Sequence, residues 1–495
     1  MRISNINLLL AGWITVSLMA ACSGVKKEKT TDIPVTTQSK EAMESFRNGL
    51  MSLDQNDNQK ARTYFLKAIE QDPKLAVAYL YKSNTDLTPK EFAEDMEKAK
   101  ANLEGASEWE KLYFDYSSTF LSSDWNKRLK VGQELAGKYP DAPRPQVDLG
   151  LTYLTGNETD KARACFQKAI ELDPNWIGGY AAMVNAYLFF DPKDFNKAEE
   201  NALKTVQLAP SSPGAQIALG DCYRAEKELE KAKTAYSKAI ELDPTATDPY
   251  YKKGNANTFL GNLDEARQNF MDGGKYDQSV TGPVPFIAYT YLYAGDPKAA
   301  MKYYMEAISN LSATGNDQGR INFAKNMYLQ DCASIATFYN DAPKLKELIP
   351  QIEPLSVQVG NDLGTQEAML SQKASNLNLE ALSAALDGKY EVAKSKAEEM
   401  KKTLEPLTDP AKLDGYEFVL GFTSMKEKKF SDAVAHFEKT RQTSVYNKYW
   451  LAMAYEAAGN KDKAKALYKE LADYNFNGID FALIRNEVKK KSAEL

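Results

Sequence analysis

The sequence predicts an all-α protein built from repeated helical hairpins, and three observations lead to this prediction. The heptapeptide KAIELDP occurs at 168–174 and again at 238–244, and KAIEQDP occurs at 67–73. The copies begin 101 and 70 residues apart, close to three and two units of about 34 residues, a period typical of helical repeats. The composition agrees, since charged residues make up 26% and Ala, Lys, Glu and Leu recur without long β-branched runs. A chain of 495 residues also exceeds what one hydrophobic core usually serves, which favours an array.

The first 21 residues read as an export signal rather than as part of the fold. Arg2 supplies the positive charge that precedes the apolar stretch of an export signal. The apolar stretch 6–21 is too short, and too often interrupted by polar residues and glycine, to span a membrane. The stretch closes with LMAAC at 18–22, which resembles the lipobox of bacterial lipoproteins, although Met19 stands where Leu is usual. The alternative is an ordinary signal peptide followed by a coincidental cysteine.

The resemblance implies that Cys22 becomes the lipid-modified first residue of the mature chain. Several acyl chains attach a protein to a membrane almost permanently, because each buried methylene contributes about 0.8 kcal/mol. Residues 22–40 are polar and are expected to form a flexible tether. Ser23 resembles the residue that follows Cys in lipoproteins sent to the outer membrane, so we expect an exported protein anchored there.

The clearest repeat is seen when 148–174 is aligned with 218–244. The alignment places glycine, tyrosine, alanine, aromatic, alanine and proline positions on one another: Gly150 on Gly220, Tyr153 on Tyr223, Ala162 on Ala232, Phe166 on Tyr236, Ala169 on Ala239 and Pro174 on Pro244. This pattern resembles the tetratricopeptide repeat. In each unit the glycine and alanine allow two helices to approach closely, and Asp-Pro ends the second helix because a residue before proline is disfavoured in the α region.

The resemblance implies a right-handed α-solenoid of about ten tetratricopeptide-type hairpins. We expect a first array at 41–312, an irregular helical junction at 313–364 and a second array at 365–495. The boundary is placed at the junction because Pro350 and Pro354 are expected to stop a helix. A final helix, 481–495, is expected to cap the array.

Repeats of this family are binding scaffolds whose first helices line a concave groove that holds peptides. The positions that match the family's groove are Asn185, Asp221, Arg224, Tyr251, Asn255, Tyr289 and Tyr293, with Phe418, Tyr449 and Met453 near the C-terminus. Amide and tyrosine side chains suit adaptable contacts with a polypeptide. The alternative is that these are the polar residues any helical solenoid carries on its concave face.

Other functions lack the residues they need. A net charge of −6 without a basic stripe argues against nucleic acid as a partner. A metal site is not expected, because His436 is the single histidine and no CxxC occurs. No nucleotide-binding glycine loop or GxSxG is present, so we expect neither an enzyme nor a cofactor. The cysteines at 165, 222 and 332 are expected to be reduced side chains within helices.

Two functions stay open at this point. The first is a membrane-anchored scaffold that binds a protein or peptide partner in the cell envelope. The second is a glycan-binding lipoprotein of a nutrient-uptake system. Relatives of the second kind carry long insertions with tryptophan platforms, whereas these repeats run nearly without insertion and only Trp109, Trp125, Trp176 and Trp450 follow the signal. This comparison favours the first function.

Overall fold

The computed structural model describes residues 33–494, and this part of the chain is all-α. It is 77% helical, with 25 α-helices and no strand, which confirms the predicted fold class. In chain order the helices are α1 Lys40–Asp54, α2 Asn58–Gln71, α3 Ala76–Ser83, α4 Pro89–Ala101, α5 Glu108–Ser122, α6 Trp125–Lys138, α7 Pro143–Thr155, α8 Thr159–Leu172, α9 Ile177–Phe189, α10 Phe195–Leu208, α11 Pro213–Ala225, α12 Leu229–Leu242, α13 Thr247–Leu260, α14 Leu263–Gly274, α15 Val284–Tyr293, α16 Pro297–Asn310, α17 Gln318–Phe338, α18 Ala342–Leu363, α19 Gln366–Leu386, α20 Tyr390–Leu404, α21 Asp414–Lys426, α22 Phe430–Phe437, α23 Val445–Ala457, α24 Lys461–Ala472 and α25 Ile479–Glu494. The predicted signal peptide and Cys22 lie outside the described residues.

The helices pair in sequence to form a solenoid. Each odd-numbered helix from α1 to α23 packs against the next helix in the chain, which gives twelve hairpins followed by the unpaired α25. The sequence indicated about ten. The two further pairs are α3–α4, whose sequence matches the repeat pattern poorly, and α17–α18, which lies in the predicted junction.

The repeated heptapeptide ends the second helix of a hairpin, as predicted. Helices α2, α8 and α12 stop at the residue before Asp, and the Asp has an extended backbone in each copy. Each Asp side chain then accepts a hydrogen bond from the backbone N–H two residues later, at 2.9 to 3.1 Å. This turn is fixed by Asp and Pro together, because the carboxylate accepts from a backbone N–H of the turn itself and the proline cannot continue the helix.

A glycine on the first helix of a hairpin lies directly under an aromatic ring on the second. A Cβ atom built on Gly220 would stand 2.4 Å from the ring of Tyr236. Four other hairpins repeat the arrangement, with closest distances of 2.3 to 2.8 Å: Gly49 with Phe65, Gly150 with Phe166, Gly254 with Phe270 and Gly421 with Phe437. The rings are fully buried, so this contact sets how closely the paired helices approach.

The segment expected to be irregular contains two long helices, and the expectation that Pro350 and Pro354 end a helix is wrong. Helix α18 runs for 22 residues with both prolines inside it. Its buried residues Leu345, Leu348 and Ile352 lie on one helical stripe, while both prolines are exposed. Packing of that stripe outweighs the local cost of proline.

The solenoid returns on itself, so distant hairpins touch. Helix α18 packs against α4, and α19 packs against α5. The Arg320 guanidinium donates to the Glu91 carboxylate at 2.8 Å, and the Thr365 hydroxyl donates to the Leu121 carbonyl at 2.7 Å. These contacts join the first hairpins to the region where the second array was expected to begin.

Helix α25 does more than close the last hairpin. It packs against α24 and α23, and also against α15 and α17 from the middle of the chain. Phe481, Ala482, Leu483, Ile484 and Val488 are buried on it. The expected capping helix is therefore present, and it is held between two parts of the solenoid.

Candidate functional site

The seven predicted groove residues all lie on first helices of hairpins, from α9 to α15, as the repeat pattern required. Their surroundings differ, however. One group contacts the chain's own C-terminal segment, one residue is bonded within the core, and one group lines open cavities.

The first group is Arg224, Asn255 and Tyr293, which the segment between α24 and α25 covers. The Tyr293 hydroxyl donates to Asn477 Oδ1 at 2.8 Å, and Asn477 Nδ2 donates to Asn255 Oδ1 at 2.8 Å. The Arg224 guanidinium lies over the ring of Phe476 at 4.6 Å. These three side chains therefore already hold a non-helical stretch of polypeptide.

Tyr289 is bonded inside the solenoid instead of facing a groove. Its hydroxyl donates to Asp331 Oδ2 at 3.2 Å, and the Tyr304 hydroxyl donates to the same oxygen. Burial raises the pKa of Asp331 to about 6, although the two tyrosine hydrogen bonds oppose this rise.

Asn185 and Asp221 line an open cavity of about 350 Å³, which we call the first cavity. Six first helices, from α1 to α11, contribute to its wall. Its aromatic side chains are Tyr81, Tyr113 and Trp176. Tyr81 and Tyr113 stack with ring centres 4.7 Å apart.

A tightly bonded ion pair forms one side of the first cavity. The two terminal guanidinium nitrogens of Arg144 donate to the two carboxylate oxygens of Asp54, both at 2.9 Å. The indole N–H of Trp176 donates to the same carboxylate at 2.8 Å. This arrangement ties the end of α1 to α7 and to the residue that precedes α9.

Asp221 is held in its charged form by its neighbours. Its carboxylate accepts from the Tyr236 hydroxyl at 2.7 Å and from Lys252 Nζ at 2.9 Å, and it pairs with Arg224 at 3.0 Å. Burial raises the pKa of Asp221, but Lys252 and Arg224 lower it by more, so the pKa falls below its usual value.

Tyr251 lines a second cavity of about 470 Å³ on the other side of the α1–α2 turn. Its hydroxyl donates to Asp277 Oδ2 at 2.7 Å. Gln59, at the start of α2, crosses this cavity: it donates to the Tyr276 carbonyl at 2.8 Å and accepts from the Thr247 hydroxyl. The turn at 55–58 thus separates the two cavities.

A third cavity, of about 280 Å³, lies among α17, α19, α21, α23 and α25. Its lining is rich in amides and hydroxyls, with Phe418 and Tyr446 stacked at 5.5 Å. Asn378 Oδ1 is buried there and has no hydrogen-bond partner among residues 33–494.

Sequence reasoning missed Asp54, Tyr81, Arg144, Asp148 and Trp176. The stretch DQNDN at 54–58 spans the turn between α1 and α2. The repeat register is the signal that could have identified some of the missed residues, because Arg144, Val147 and Asp148 occupy first-helix positions in one of the units that match the repeat pattern best.

Within residues 33–494 no cluster of three His, Cys, Asp or Glu side chains is arranged to hold a metal. None of the helices in this range is both long enough and apolar enough to cross a membrane.

Comparison with known families identifies the repeats. Profiles described as "tetratricopeptide repeat" match residues 46–75, 143–176, 286–310 and 446–475, and one described as "TPR repeat" matches 220–261. The chain therefore contains tetratricopeptide repeats, a scaffold suited to binding proteins or peptides.

Curated relatives share parts of this repeat region. Anaphase-promoting complex subunit 3 of Schizosaccharomyces pombe is 21% identical over 251 residues, 50% of this chain and 37% of that protein. The general transcriptional corepressor trfA of Dictyostelium discoideum is 31% identical over 122 residues, 24% of this chain and 9% of that protein. The chain thus spans well under half the length of these relatives.

Solved structures with a similar fold include the APC/C hetero-tetramer Cut9-Hcn1, with a TM-score of 0.41 and 13% identity, over 90% of this chain and 76% of that one. Another is a tetratricopeptide repeat protein from Parabacteroides merdae, with a TM-score of 0.34 and 10% identity, over 59% of this chain and all of that one.

Proposed function

We propose that the protein is a membrane-anchored scaffold lipoprotein that binds a protein or peptide partner on its concave face, within the bacterial cell envelope. Cys22 would carry the lipid, the outer membrane would hold it, and the repeats would extend into the adjoining aqueous space. The partner would contact the open stretch of the concave face, around Asn185, Asp221 and Tyr251.

One observation supports the binding surface above all others. Arg224, Asn255 and Tyr293 were selected from repeat positions alone, and all three contact the non-helical stretch at Phe476 and Asn477. An amide pair, a tyrosine hydroxyl and a stacked guanidinium are contacts that a foreign polypeptide would also use. Neighbouring positions on the same face remain open for one.

Site-specific crosslinking in intact cells tests this proposal. A photo-crosslinking residue at Asn185, which is exposed in the first cavity, is expected to capture the same protein repeatedly. Leu203 is the matched control, because it is 48% exposed on α10, the second helix of the same hairpin. Equal capture at both positions, or no reproducible capture at Asn185, would contradict the binding proposal.

The anchor is tested separately. Metabolic labelling with an alkyne fatty acid is expected to label the protein, and Cys22→Ser is expected to remove the label and release the protein from membranes. Labelling that survives Cys22→Ser would overturn the anchor and leave the binding surface untouched.

The third cavity supports the second function, glycan binding. Amides, hydroxyls and a stacked aromatic pair, with two acidic side chains, offer the apolar face and the directional hydrogen bonds that sugars use. A glycan array read with the wild type and with Phe418→Ala separates the two functions. Saturable binding of one glycan that Phe418→Ala abolishes would favour this alternative.

A further inference from the structure

Within the described part of the chain, two buried polar atoms in the wall of the first cavity have no hydrogen-bond partner. They are Asp148 Oδ2, on α7, and the hydroxyl of Tyr81, on α3. Tyr81 is only 2% exposed. Buried polar groups in proteins are almost always bonded, so a pair of free acceptors in one cavity points to a ligand that supplies donors.

The charges around the cavity leave one carboxylate uncompensated. Arg144 precedes Asp148 by one helical turn on α7, but it donates hydrogen bonds from two of its nitrogens to Asp54. Asp221 also lines the cavity, where Arg224 and Lys252 balance it. Asp148 has no ion pair within the described residues, so its carboxylate has no bonded counter-charge when it is ionised, whereas Asp54 and Asp221 both have one.

The walls suit an alkyl cation. The indole of Trp176, which is half-buried, lines the cavity, and the buried, stacked rings of Tyr81 and Tyr113 add apolar surface to its wall. Arg144 already uses the π-face of this indole, since it lies 5.1 Å from the centre of the Trp176 ring. A single free carboxylate oxygen matches a compact ammonium better than the two-pronged donor set of a guanidinium.

We propose that the first cavity binds the ammonium group of a lysine side chain on the partner polypeptide, with Asp148 as its counter-ion and the Tyr81 hydroxyl as a second acceptor. The inference rests on the proposed function, because it names the part of the partner that this stretch of the concave face holds. A volume of about 350 Å³ accommodates a four-carbon side chain and its head group.

The ionisation of Asp148 supplies a second, independent readout. Burial raises the pKa of Asp148 to about 7; Arg144 opposes this rise and Asp54 adds to it. The other groups facing it are Tyr81, Tyr113 and Tyr116, and burial raises the pKa of each phenol, so none of them ionises near neutrality. A bound ammonium favours the carboxylate, so binding at pH 7 expels part of a proton and tightens as the pH rises from about 6 to 8.

Titration calorimetry on the purified full chain tests the proposal with defined probes. N-acetyl-lysine methylamide is expected to bind at least about tenfold more tightly than N-acetyl-norleucine methylamide, which has no ammonium. At pH 7 its binding enthalpy is expected to vary with the ionisation enthalpy of the buffer, as proton release requires. Putrescine, tested in parallel, represents a free amine as the ligand.

Asp148→Asn is expected to weaken binding of the lysine probe at least about tenfold and to abolish proton release. The matched control is Asp160→Asn, an exposed aspartate on α8 of the same hairpin, which is expected to bind as the wild type does. Circular dichroism and thermal melting confirm that each variant folds, and Tyr81→Phe provides a second variant that removes only the hydroxyl.

Three outcomes would overturn the inference. They are equal binding of the lysine and norleucine probes, unchanged binding by Asp148→Asn, and putrescine binding more tightly than the lysine probe. Each is distinguishable from failure of the proposed function, because crosslinking at Asn185 reports a partner whether or not lysine mediates the contact.

Discussion

At the scale of single residues, the hairpins depend on the absence of a side chain under an aromatic ring. Five glycines stand beneath a buried Phe or Tyr at distances that no Cβ atom tolerates. Because the ring is enclosed on all sides, an added methyl group must push the two helices apart. The glycine is therefore a packing residue, selected for its size.

Gly220→Ala is expected to lower the free energy of unfolding by about 1–3 kcal/mol, since the new Cβ would lie 2.4 Å from the Tyr236 ring. Urea denaturation followed by circular dichroism measures the change. Gly137→Ala on α6 is the matched control: it has open space around it and is expected to stabilise by about 0.5–1 kcal/mol. Equal effects of the two substitutions would contradict this explanation.

A pH-dependent prediction follows from Asp331. Burial raises its folded pKa to about 6, whereas an unfolded aspartate titrates near 3.9. Between these values the folded state keeps a proton that the unfolded state has lost, so this group makes stability fall as pH rises from about 4 to 6. Asp331→Asn is expected to reduce that fall. Urea midpoints at about pH 4 and pH 7 test this, and an unchanged difference would rule it out.

The residue patterns of the sequence predicted the local contacts and not the distant ones. Gly220, Tyr236 and the Asp-Pro stop act within one hairpin, so their roles follow from spacing alone. The partner of Tyr293 is Asn477, 184 residues away, and no periodicity relates the two. Its placement depends on the curvature accumulated over the intervening hairpins, which individual residues do not specify.

At the scale of helices, α18 shows that packing decides where an element ends. Leu345, Leu348, Ile352 and Ser356 form a buried stripe that continues past both prolines. A stripe at helical spacing predicts a helix, and proline predicts an end. The first signal prevails here because both prolines face solvent, where the missing N–H leaves a carbonyl that water can reach.

Pro350→Ala is expected to raise the free energy of unfolding by about 1–3 kcal/mol, because it restores an N–H donor in the middle of α18. The gain is reduced somewhat by the greater freedom of the unfolded chain. Thermal melting measures it. Pro213→Ala is the control: Pro213 is the first residue of α11, where no helical hydrogen bond is lost, and little change is expected. A loss of stability in Pro350→Ala would contradict this account of α18.

At the scale of the whole molecule, contacts between distant hairpins join the first three hairpins to the segment 318–408. Glu91 receives hydrogen bonds from Arg62 on α2 and from Arg320 on α17, at 2.9 and 2.8 Å. Thr408 donates to Asp124 at 3.0 Å, across 284 residues. A simple linear array can lose its end repeats one at a time, whereas these contacts couple the first hairpins to the segment 318–408.

We expect the chain to unfold as one cooperative unit. Hydrogen exchange at increasing urea is expected to give the same opening free energy for 108–138 and 366–404. Arg320→Gln is expected to lower both by about 1.5–3 kcal/mol, since it removes a charge-assisted contact with Glu91. Lys302→Gln, in an exposed pair on α16, is the control and is expected to change either by less than about 0.5 kcal/mol. Separate opening energies would show that these two regions unfold independently.

The covered stretch at Phe476 and Asn477 has a consequence for any assay of this protein. Because this segment and the surface it covers belong to one chain, the segment competes with any added peptide at an effective concentration that does not change when the protein is diluted. A peptide that binds at Tyr293 must displace it, so its apparent affinity is weakened by a constant factor. Asn185 is exposed in the described part of the chain, so a peptide that binds there displaces none of residues 33–494. We therefore expect peptides that bind beyond α11, near Tyr293, to show weaker apparent affinities than peptides that bind before it, near Asn185.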